Sequence, residues 1–481
     1  MGTIGTIIAL VIIPVFYGIT VIKRIVFKRK NSKLIVGIDK DTTPMLPTKN
    51  KALEIAKKQL QDYNITIAKE GMDDIEGPMY IIASYNSELD KYIIPLVLKD
   101  YNAKYIISLD ELEESRKTIW KDLGTILNNT LSLKPTISEG HSIVLFQGKI
   151  ASPAGNNLLG DLPAGSNYNH LYFWTINDAR YSRLPIVTLN IHGSYLSNPI
   201  WSDHVQGDIP IRADLRCIYK PTPDDTTYDD TLDDTYYDLY NKLIKEFSYS
   251  DYDYQLENNI KISYPKRAEG IHKVLYQCIN CGTKYKMTSH DSTIKCTECN
   301  SEWTMDELGR LNAKDIMTTF NATEWYKWEC QECAKEVDNI LKTKRGYKIK
   351  RTFHVHVKAL IKSHGLVDIG YGELTLNKEE YELTFSNTTF EQQVYDDNFK
   401  KINYLNITKN DMPEIDPTTA KHVHFPHNIN PISTVQIRLS NDKNDSKGII
   451  LRDEKCLYYL YCEADDFVPA ELQIMTELFC R

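Results

Sequence analysis

Four cysteines in two C-x2-C pairs constrain the fold of this chain more than any other feature of its sequence. They are Cys278, Cys281, Cys296 and Cys299, in the spacing C-x2-C-x14-C-x2-C. Each pair can curl its turn so that two sulfurs face one ion, and a hairpin between the pairs can complete a tetrahedron. Four protein ligands leave no position for a catalytic water, so the pattern predicts a structural zinc ion, Zn²⁺.

Length, composition and charge set the broad class. The chain has 481 residues, of which 42% are hydrophobic, and this indicates a globular protein of two to four domains. The net charge of −8 offers no domain-wide positive field to a nucleic-acid backbone. The segment around the four cysteines is predicted to fold as a zinc ribbon. Nucleic-acid binding through this ribbon is disfavoured, since the only cations near it are four lysines: Lys273, Lys284, Lys286 and Lys295.

The other cysteines indicate a reducing compartment. Four of them are scattered singly: Cys217, Cys456, Cys462 and Cys480. Cys330 and Cys333 form a third C-x2-C in a segment with helical character, so they would lie one helical turn apart. Incidental thiols are the favoured interpretation, and a half-site completed by another chain or a redox pair are the alternatives.

The amino terminus carries a second strong signal. Residues Thr3 to Ile22 are an uncharged, largely apolar run long enough to cross about 30 Å of hydrocarbon as one helix. Five basic residues follow at once: Lys23, Arg24, Lys28, Arg29 and Lys30. Because such a flank stays in the cytoplasm, the sequence predicts a single-pass membrane protein with its N-terminus outside and its body in the cytoplasm.

From about residue 47 to 190 the chain alternates helix-like and strand-like segments, which predicts an α/β domain with a parallel sheet. Four short apolar runs suit buried parallel strands: Met79–Ala83, Tyr105–Ser108, Ser142–Phe146 and Pro185–Ile191. Binding sites in such sheets gather at the carboxyl ends of strands. The rule selects three loops: Ser84–Asp90, Gln147–Gly155 and His192–Trp201.

These loops carry a resemblance to a known family. ASYNSELD, VLFQGKIASPAGN and PIVTLNIHGSYLSNPIW resemble the corresponding segments of the glycerophospholipid acyltransferase family, whose best-known members acylate 1-acylglycerol 3-phosphate. RAEGIHKVLYQCINCG, FSYSDYDYQLENNIKI and WTMDELGRLNA resemble a branch of that family with an appended zinc ribbon. The resemblance covers most of the chain and implies an acyltransferase-like α/β fold.

The chain departs from the family at the motifs that carry chemistry. Where the family has N-H-x-x-x-x-D, this chain has Ser84 and Tyr85, and Asp90 matches the aspartate. Where the family has F-P-E, Phe146 matches, but Gln147 and Gly148 replace proline and glutamate. Ser152, Pro153 and Gly155 resemble the branch's variant of that loop, and of these Ser152 and Gly155 are the candidates for substrate binding.

These losses predict weak catalysis or none. The family's histidine takes a proton from the acceptor hydroxyl while the aspartate orients the imidazole. With an ordinary pKa near ~10, about one tyrosine in a thousand is ionised at pH 7. Losing a general base removes roughly 10²–10⁴ in rate. The candidate catalytic residues are Asp90, Tyr85 and His192, the last as a substitute base, although a plain loop histidine is the favoured interpretation of His192.

The remaining segments predict a linker and a β-rich end. Pro221–Tyr240 carries seven aspartates without a lysine or arginine, and a solvated linker or helix entry is favoured over a calcium loop. Beyond it, alternating segments predict several antiparallel strands closed by a helix around Leu472, Met475 and Leu478. His354 and His356 share one strand face, where solvent-facing histidines are commoner than a metal pair.

The predicted organisation has five parts. They are a transmembrane anchor with its basic flank (1–30), an acyltransferase-like α/β domain (40–265), a zinc ribbon (266–312), a helical connector (313–345) and a mostly β domain with a C-terminal helix (346–481). The favoured function is a catalytically degenerate acyltransferase-family protein of phospholipid metabolism, which binds membrane lipid or scaffolds proteins through its β-rich domain. The alternative is an active divergent lysophospholipid acyltransferase that uses acyl-CoA or acyl carrier protein. Nucleic acid is not an expected partner.

Overall fold

The structure is a computed structural model that describes residues 49–107, 125–127, 130–147, 167–202, 206–222, 234–248, 250–314, 319–342, 350–361, 365–386, 420–427, 436–439, 447–452 and 457–479. The predicted membrane span Thr3–Ile22 and its basic flank lie outside these residues, as do Gly148, Ser152 and Gly155. Among the described residues, no helix combines the length and apolar character that crossing a bilayer requires.

The first half of the described chain is an α/β layer structure. Its strands are β1 (Ile65–Glu70), β2 (Tyr80–Ser84), β3 (Ala103–Ile107), β4 (Thr125–Leu127), β5 (Ser142–Gln147), β6 (Ile186–His192) and β7 (Ile211–Tyr219). Its helices are α1 (Lys49–Gln59), α2 (Asp90–Val97), α3 (Thr130–Ser138), α4 (Asn167–Ser182), α5 (Ser194–Ser197), α6 (Asp234–Phe247) and α7 (Asp251–Glu257).

These strands form one sheet in the order β1-β7-β6-β2-β5-β3-β4. Strands β6, β2, β5, β3 and β4 are mutually parallel, while β7 runs antiparallel to β6 and β1 pairs in parallel with β7. The prediction of a parallel sheet in a mixed α/β fold is therefore confirmed. Because β2, β5 and β6 are parallel, their carboxyl ends meet at one edge of the sheet.

Helices cover both faces of this sheet. Alternate residues of β6, among them Val187, Leu189 and Ile191, pack with Ile93 and Ile94 of α2 in one core. The opposite face of the sheet packs on α4 and α6, in a second core that includes Ile186, Tyr172 and Leu243. A fully covered sheet explains why strand β2 is buried along its whole length and reads as a continuous apolar run.

The cysteine segment folds as a small antiparallel sheet followed by a long helix. Its strands are β8 (Met287–His290), β9 (Thr293–Cys296), β10 (Glu302–Met305), β11 (Arg310–Ala313) and β12 (Thr319–Asn321), in the order β12-β11-β10-β9-β8. Helix α8 (Ala322–Lys342) begins directly after β12 and carries both Cys330 and Cys333. Each of these cysteines is at least half-buried, and Cys333 is fully buried.

The last part is a second large sheet closed by a helix, which confirms the predicted β-rich C-terminal part. Its strands are β13 (Arg351–Ile361), β14 (Gly365–Leu376), β15 (Glu380–Ser386), β16 (Ala420–Pro426), β17 (Gln436–Leu439), β18 (Lys447–Arg452) and β19 (Leu457–Tyr461). They pair antiparallel in the order β16-β15-β14-β13-β19-β18-β17. Helix α9 (Pro469–Phe479) follows, with Leu472, Met475 and Leu478 buried as the sequence pattern predicts.

One hydrophobic core joins the cysteine segment, α8 and the second sheet. It contains Ile294 and Trp303 of the small sheet, Trp325 of α8, Val355 of β13 and Leu472 of α9. The cysteine segment is thus packed into the body of the protein and is not a detached module.

Candidate functional site

The four cysteines of the predicted zinc site come together. The Sγ atoms of Cys278 and Cys299 are 3.7 Å apart, and those of Cys281 and Cys296 are 3.8 Å apart. All four Sγ atoms lie within 4.8 Å of one another, and none forms a disulfide. A tetrahedron with metal–sulfur bonds of about 2.3 Å has edges of about 3.8 Å, so the cluster has the size and the ligand set of a tetrathiolate metal site. The predicted clustering is confirmed, and zinc as the bound metal belongs to the proposal below.

Local backbone turns hold the first cysteine pair. Cys278 N–H donates to Thr283 O at 2.9 Å, and Gly282 N–H donates back to Cys278 O at 2.8 Å. The Cys281 amide also points at Cys278 Sγ, at 3.5 Å. Burial raises the pKa of the Cys278 thiol, and the backbone N–H groups aimed at its sulfur oppose this effect and favour the thiolate that a metal requires.

Helix α8 fixes the residue before the first cysteine. Trp325 Nε1 donates to Gln277 O at 2.8 Å, and Gln277 N–H donates to Glu329 Oε1 at 2.7 Å. Trp325 is fully buried and meets the Trp303 ring edge-on at 4.8 Å. The position of the turn therefore depends on the packing of α8, not on a metal alone.

A buried ion cluster ties the same turn to the second sheet. Glu471 of α9 is fully buried and accepts hydrogen bonds of 2.8 Å each from Lys284, Tyr285 OH and Arg351 Nη1. Burial alone would raise the pKa of Glu471, but Arg351 and Lys284 lower it below its ordinary value. Lys284 also pairs with Glu336 of α8. Lys284 and Tyr285 follow Cys281 by three and four residues. Their hydrogen bonds to Glu471 therefore connect the segment after the first cysteine pair to helix α9.

The second candidate site is the carboxyl edge of the α/β sheet, where Ser84 is the last residue of β2 and Tyr85 follows it. Ser84 Oγ accepts a hydrogen bond from the Ile191 amide at 2.9 Å, so this side chain joins β2 to β6. The Tyr85 side chain is buried and meets the Phe146 ring edge-on at 5.7 Å. Both residues thus have packing roles at the end of the sheet.

Asp90 begins helix α2 and is completely buried. Its Oδ2 accepts hydrogen bonds from the Asn86 amide at 2.6 Å and the Ser87 amide at 3.0 Å. Burial raises the pKa of Asp90 to about 7, against the opposing effect of the nearby Ser194 hydroxyl and of these two amides. Within the described part of the chain, the groups that contact this carboxyl are amides and a hydroxyl, not an imidazole.

His192 is the last residue of β6, but its side chain lies on the face of the sheet that packs on α6, opposite to the face that packs on α2. Its neighbours on that face, Thr188 and Asn190, contact Glu246 of α6, whereas Ile191 packs with α2. His192 Nε2 is 3.5 Å from Asp214 Oδ2, and its ring stacks on Tyr254 at 5.1 Å. Because successive strand residues point to opposite faces, β6 directs this imidazole away from helix α2 and Asp90.

The structure adds Asp251, a residue the sequence did not single out. It is completely buried at the start of α7, and its Oδ1 accepts a hydrogen bond from the Gly193 amide at 2.6 Å. Burial raises the pKa of Asp251 to about 8, and the nearby charge of Asp90 raises it further. Ser250 in SYSDYD is a recognisable helix N-cap, but the sequence offers no signal that the next residue is buried beside Asp90.

The other candidates are placed as follows. Gln147 ends β5, and its side chain is outside the described part of the structure, as are Gly148, Ser152 and Gly155. His354 lies on the exposed face of β13, with Nδ1 3.7 Å from Glu373. Among the described residues, no metal-sized cluster includes Cys330 or Cys333.

No protein-family model matches the sequence, and no curated protein matches it either. Among solved structures, the chain is similar to the 1-acyl-sn-glycerophosphate (LPA) acyltransferase PlsC from Thermotoga maritima. The similarity has 12% sequence identity and a TM-score of 0.29, and it covers 50% of this chain and 90% of that one. Values this low assign neither a shared activity nor a shared site.

Proposed function

We propose that this chain is a non-catalytic relative of the glycerophospholipid acyltransferases that binds lipid or scaffolds other proteins at the cytoplasmic face of a membrane. The environment of Asp90 carries the proposal. In an active site of that kind the carboxylate orients an imidazole base. Here it is buried against two backbone amides and Ser194, while Tyr85 packs on Phe146.

The charge state of Asp90 supports the same conclusion. A carboxyl whose pKa is raised to about 7 is partly protonated at neutral pH, so it stabilises an imidazolium poorly. Tyr85 is buried beside the Phe146 ring, and Lys91, the cation of this sequence motif, pairs with Glu88. No group at this point of the described structure is therefore suited to deprotonate an acceptor hydroxyl.

The membrane part of the proposal is supported by sequence alone. The apolar run Thr3–Ile22 and the basic flank after it would anchor the body of the chain at the inner membrane face. An acyl-CoA, an acyl carrier protein or a membrane phospholipid would then be the ligand class, and the second sheet would offer a surface to protein partners. Zinc at the four cysteines would stabilise the fold and take no part in chemistry.

The test is an acyl-transfer assay on the full-length protein in detergent, with labelled acyl-CoA or acyl carrier protein and lysophosphatidate. We expect no turnover above the protein-free rate, together with bound phospholipid detected by native mass spectrometry. Gain of turnover in Tyr85→His combined with Gly148→Glu would support a decayed site. Multiple-turnover esterification by the wild type that Asp90→Ala abolishes would contradict the proposal.

A second candidate function is an active divergent acyltransferase, and the pair of His192 and Asp214 favours it. The pKa of Asp214 is lowered because hydrogen bonds from His192 and Arg212 outweigh the effect of burial. An ionised carboxylate beside an imidazole is the pairing that general-base catalysis uses. If this candidate is right, the wild type turns over, and both His192→Ala and Asp214→Asn remove the activity while Asp90→Asn retains it.

A further inference from the structure

Two strands of the second sheet carry the same tripeptide, His-Val-His. The first is His354–His356 in β13 and the second is His422–His424 in β16. In both, the valine is buried against the core, so the two histidines lie on the opposite, solvent-facing side. Histidines two residues apart on one strand are separated by about 6.8 Å along the chain, which places both imidazoles on the same surface patch.

The β16 pair is held by carboxylates of the neighbouring strand β15. His422 Nδ1 is 2.8 Å from Glu382 Oε1, and His424 Nδ1 is 3.1 Å from Glu380 Oε1. His422 Nδ1 also lies 3.3 Å from Thr384 Oγ1. About half of each imidazole side chain is exposed, 47% for His422 and 52% for His424.

These bonds fix the tautomer of both rings. An ionised carboxylate accepts hydrogen bonds and donates none, so each Nδ1 carries the proton in the neutral imidazole. The lone pair is then on Nε2, the atom of each ring for which the described residues provide no hydrogen bond. A carboxylate behind Nδ1 orients the ring and raises the basicity of Nε2, as it does for histidines that ligate metals.

We infer that His422 and His424 form a two-imidazole site for a divalent transition-metal ion such as Cu²⁺, Ni²⁺ or Zn²⁺. Imidazole nitrogen suits these borderline metals, and the negative charges of Glu380 and Glu382 favour a cation beside them. Among the described strands, β16 is at the end of the sheet order and both imidazoles are about half exposed, so solvent or an exogenous ligand can complete the coordination sphere. This site is separate from the four cysteines and does not depend on the proposed lipid function.

The β13 pair is a matched comparison within the same chain. His354 Nδ1 is 3.7 Å from Glu373, beyond hydrogen-bond distance, so this carboxylate does not fix the ring as Glu380 and Glu382 fix those of β16. The His356 ring packs on Tyr371 at 5.1 Å and near Tyr461 at 6.4 Å. One ring of this pair is thus unsupported and the other is engaged by aromatic neighbours, so the β13 pair should chelate weakly although its sequence is identical.

The test uses the full-length protein with its cysteine site saturated by zinc, and Cu²⁺–iminodiacetate as the probe, because that complex has two positions open for imidazoles. Electron paramagnetic resonance counts the coordinated nitrogens, and titration gives the affinity. We expect one high-affinity complex per chain with two imidazole nitrogens. His422→Ala with His424→Ala should weaken binding at least tenfold, whereas His354→Ala with His356→Ala should leave it unchanged.

Further variants separate chelation from a loss of structure. Glu382→Gln with Glu380→Gln should weaken binding by about 10–100-fold, and His422→Ala alone should leave one coordinated nitrogen. Unchanged zinc content and circular dichroism confirm folding in each case. Wild-type affinity in the β16 double variant, or loss of binding in the β13 variant, would overturn the inference.

Discussion

At the scale of single residues, two buried carboxyls at the edge of the α/β sheet stand out because burial favours their protonated, neutral form. Asp90 and Asp251 are both fully buried, and each also has one carboxyl oxygen without a hydrogen bond among the described atoms. Buried charges without a cationic partner are costly, so the folded state holds protons that the unfolded chain releases.

This proton uptake predicts a progressive loss of stability as the pH rises from the unfolded pKa of these carboxyls through their folded pKa values. The pKa values of Asp90 and Asp251 rise on folding to about 7 and about 8 from an ordinary value of 3.8. Their contribution is therefore fully present below the unfolded pKa and is lost as pH rises through 7 and 8. The free energy of unfolding should fall by up to about 1.4 kcal/mol per pH unit for each proton released.

Denaturant titrations between pH 6 and 9 measure the effect. Asp90→Asn with Asp251→Asn, which mimics the protonated carboxyls, should flatten the profile. Asp238→Asn is the control, because that exposed carboxylate pairs with Lys242 at the surface and should leave the slope as it is. An identical slope in the wild type and in the double variant would contradict the assigned protonation.

Glu471 differs from Asp90 and Asp251 because it is buried with two cationic partners, Lys284 and Arg351, which keep it ionised. Glu471→Gln removes the anion and leaves both cations facing a neutral amide, so we expect a loss of about 3–5 kcal/mol in the free energy of unfolding. Glu332→Gln, at an exposed pair with Lys335, should cost less than about 1 kcal/mol. Chemical denaturation of the two variants measures the difference, and equal losses would mean that the buried cluster contributes no more than a surface pair.

At the scale of elements, the sequence predicted best where a pattern has one physical meaning. The cysteine spacing predicted the cluster, and the short apolar runs predicted β2, β3, β5 and β6, because a strand covered on both faces must be apolar throughout. Strand β7 has an equally clear alternating pattern, IRADLRCIY, that was not singled out. Its charged residues have tertiary or cross-strand partners, since Arg216 pairs with Glu246 of α6 and Asp214 lies beside His192 of β6, and these contacts explain what looks like a polar segment.

The candidate site was less predictable than the fold, for a reason that His192 illustrates. The sequence places it at the correct end of β6, but a one-residue difference in phase decides which face of the sheet it occupies. That phase is set by Ile191 packing with α2 and by Asn190 bonding to α6. Asp251 is 58 residues beyond Gly193, and no local pattern shows that the two meet.

The turn between β6 and α5 depends on Gly193. This residue has φ +83°, and a Cβ atom there would lie 2.5 Å from Pro210 O. Gly193→Ala should therefore destabilise the protein by more than the roughly 1–3 kcal/mol that a strained backbone conformation costs. Gly140 has a similar φ of +80° but open space around it, so Gly140→Ala isolates the backbone cost.

Thermal and chemical unfolding of these two glycine variants separate clash from strain. The larger loss should belong to Gly193→Ala, which also displaces the amide that bonds to Asp251. Equal losses in both variants would show that Pro210 moves aside freely.

At the scale of the whole molecule, the segment around the first cysteine pair, residues 277–285, is where α8, α9 and the second sheet meet. Helix α8 holds Gln277, α9 holds Lys284 and Tyr285, and the hydrophobic core around Trp303 continues into the second sheet. The cores on the two faces of the α/β sheet contain other residues. Removing the proposed zinc ion should therefore loosen the second half of the described chain first.

Zinc binding and its loss can be followed by metal analysis and hydrogen exchange. We expect about one zinc per chain, and Cys296→Ser or a strong chelator should remove it, because binding free energy at a structural site is folding free energy. Amide protection should then fall in β8–β10, α8 and α9, while β2, β5 and β6 keep theirs. Cys217→Ser, a half-buried thiol outside the cluster, is the matched control and should change neither zinc content nor protection. Uniform loss of protection over all strands would mean that the α/β sheet also depends on the metal, and full protection without zinc would remove the structural role of the ion.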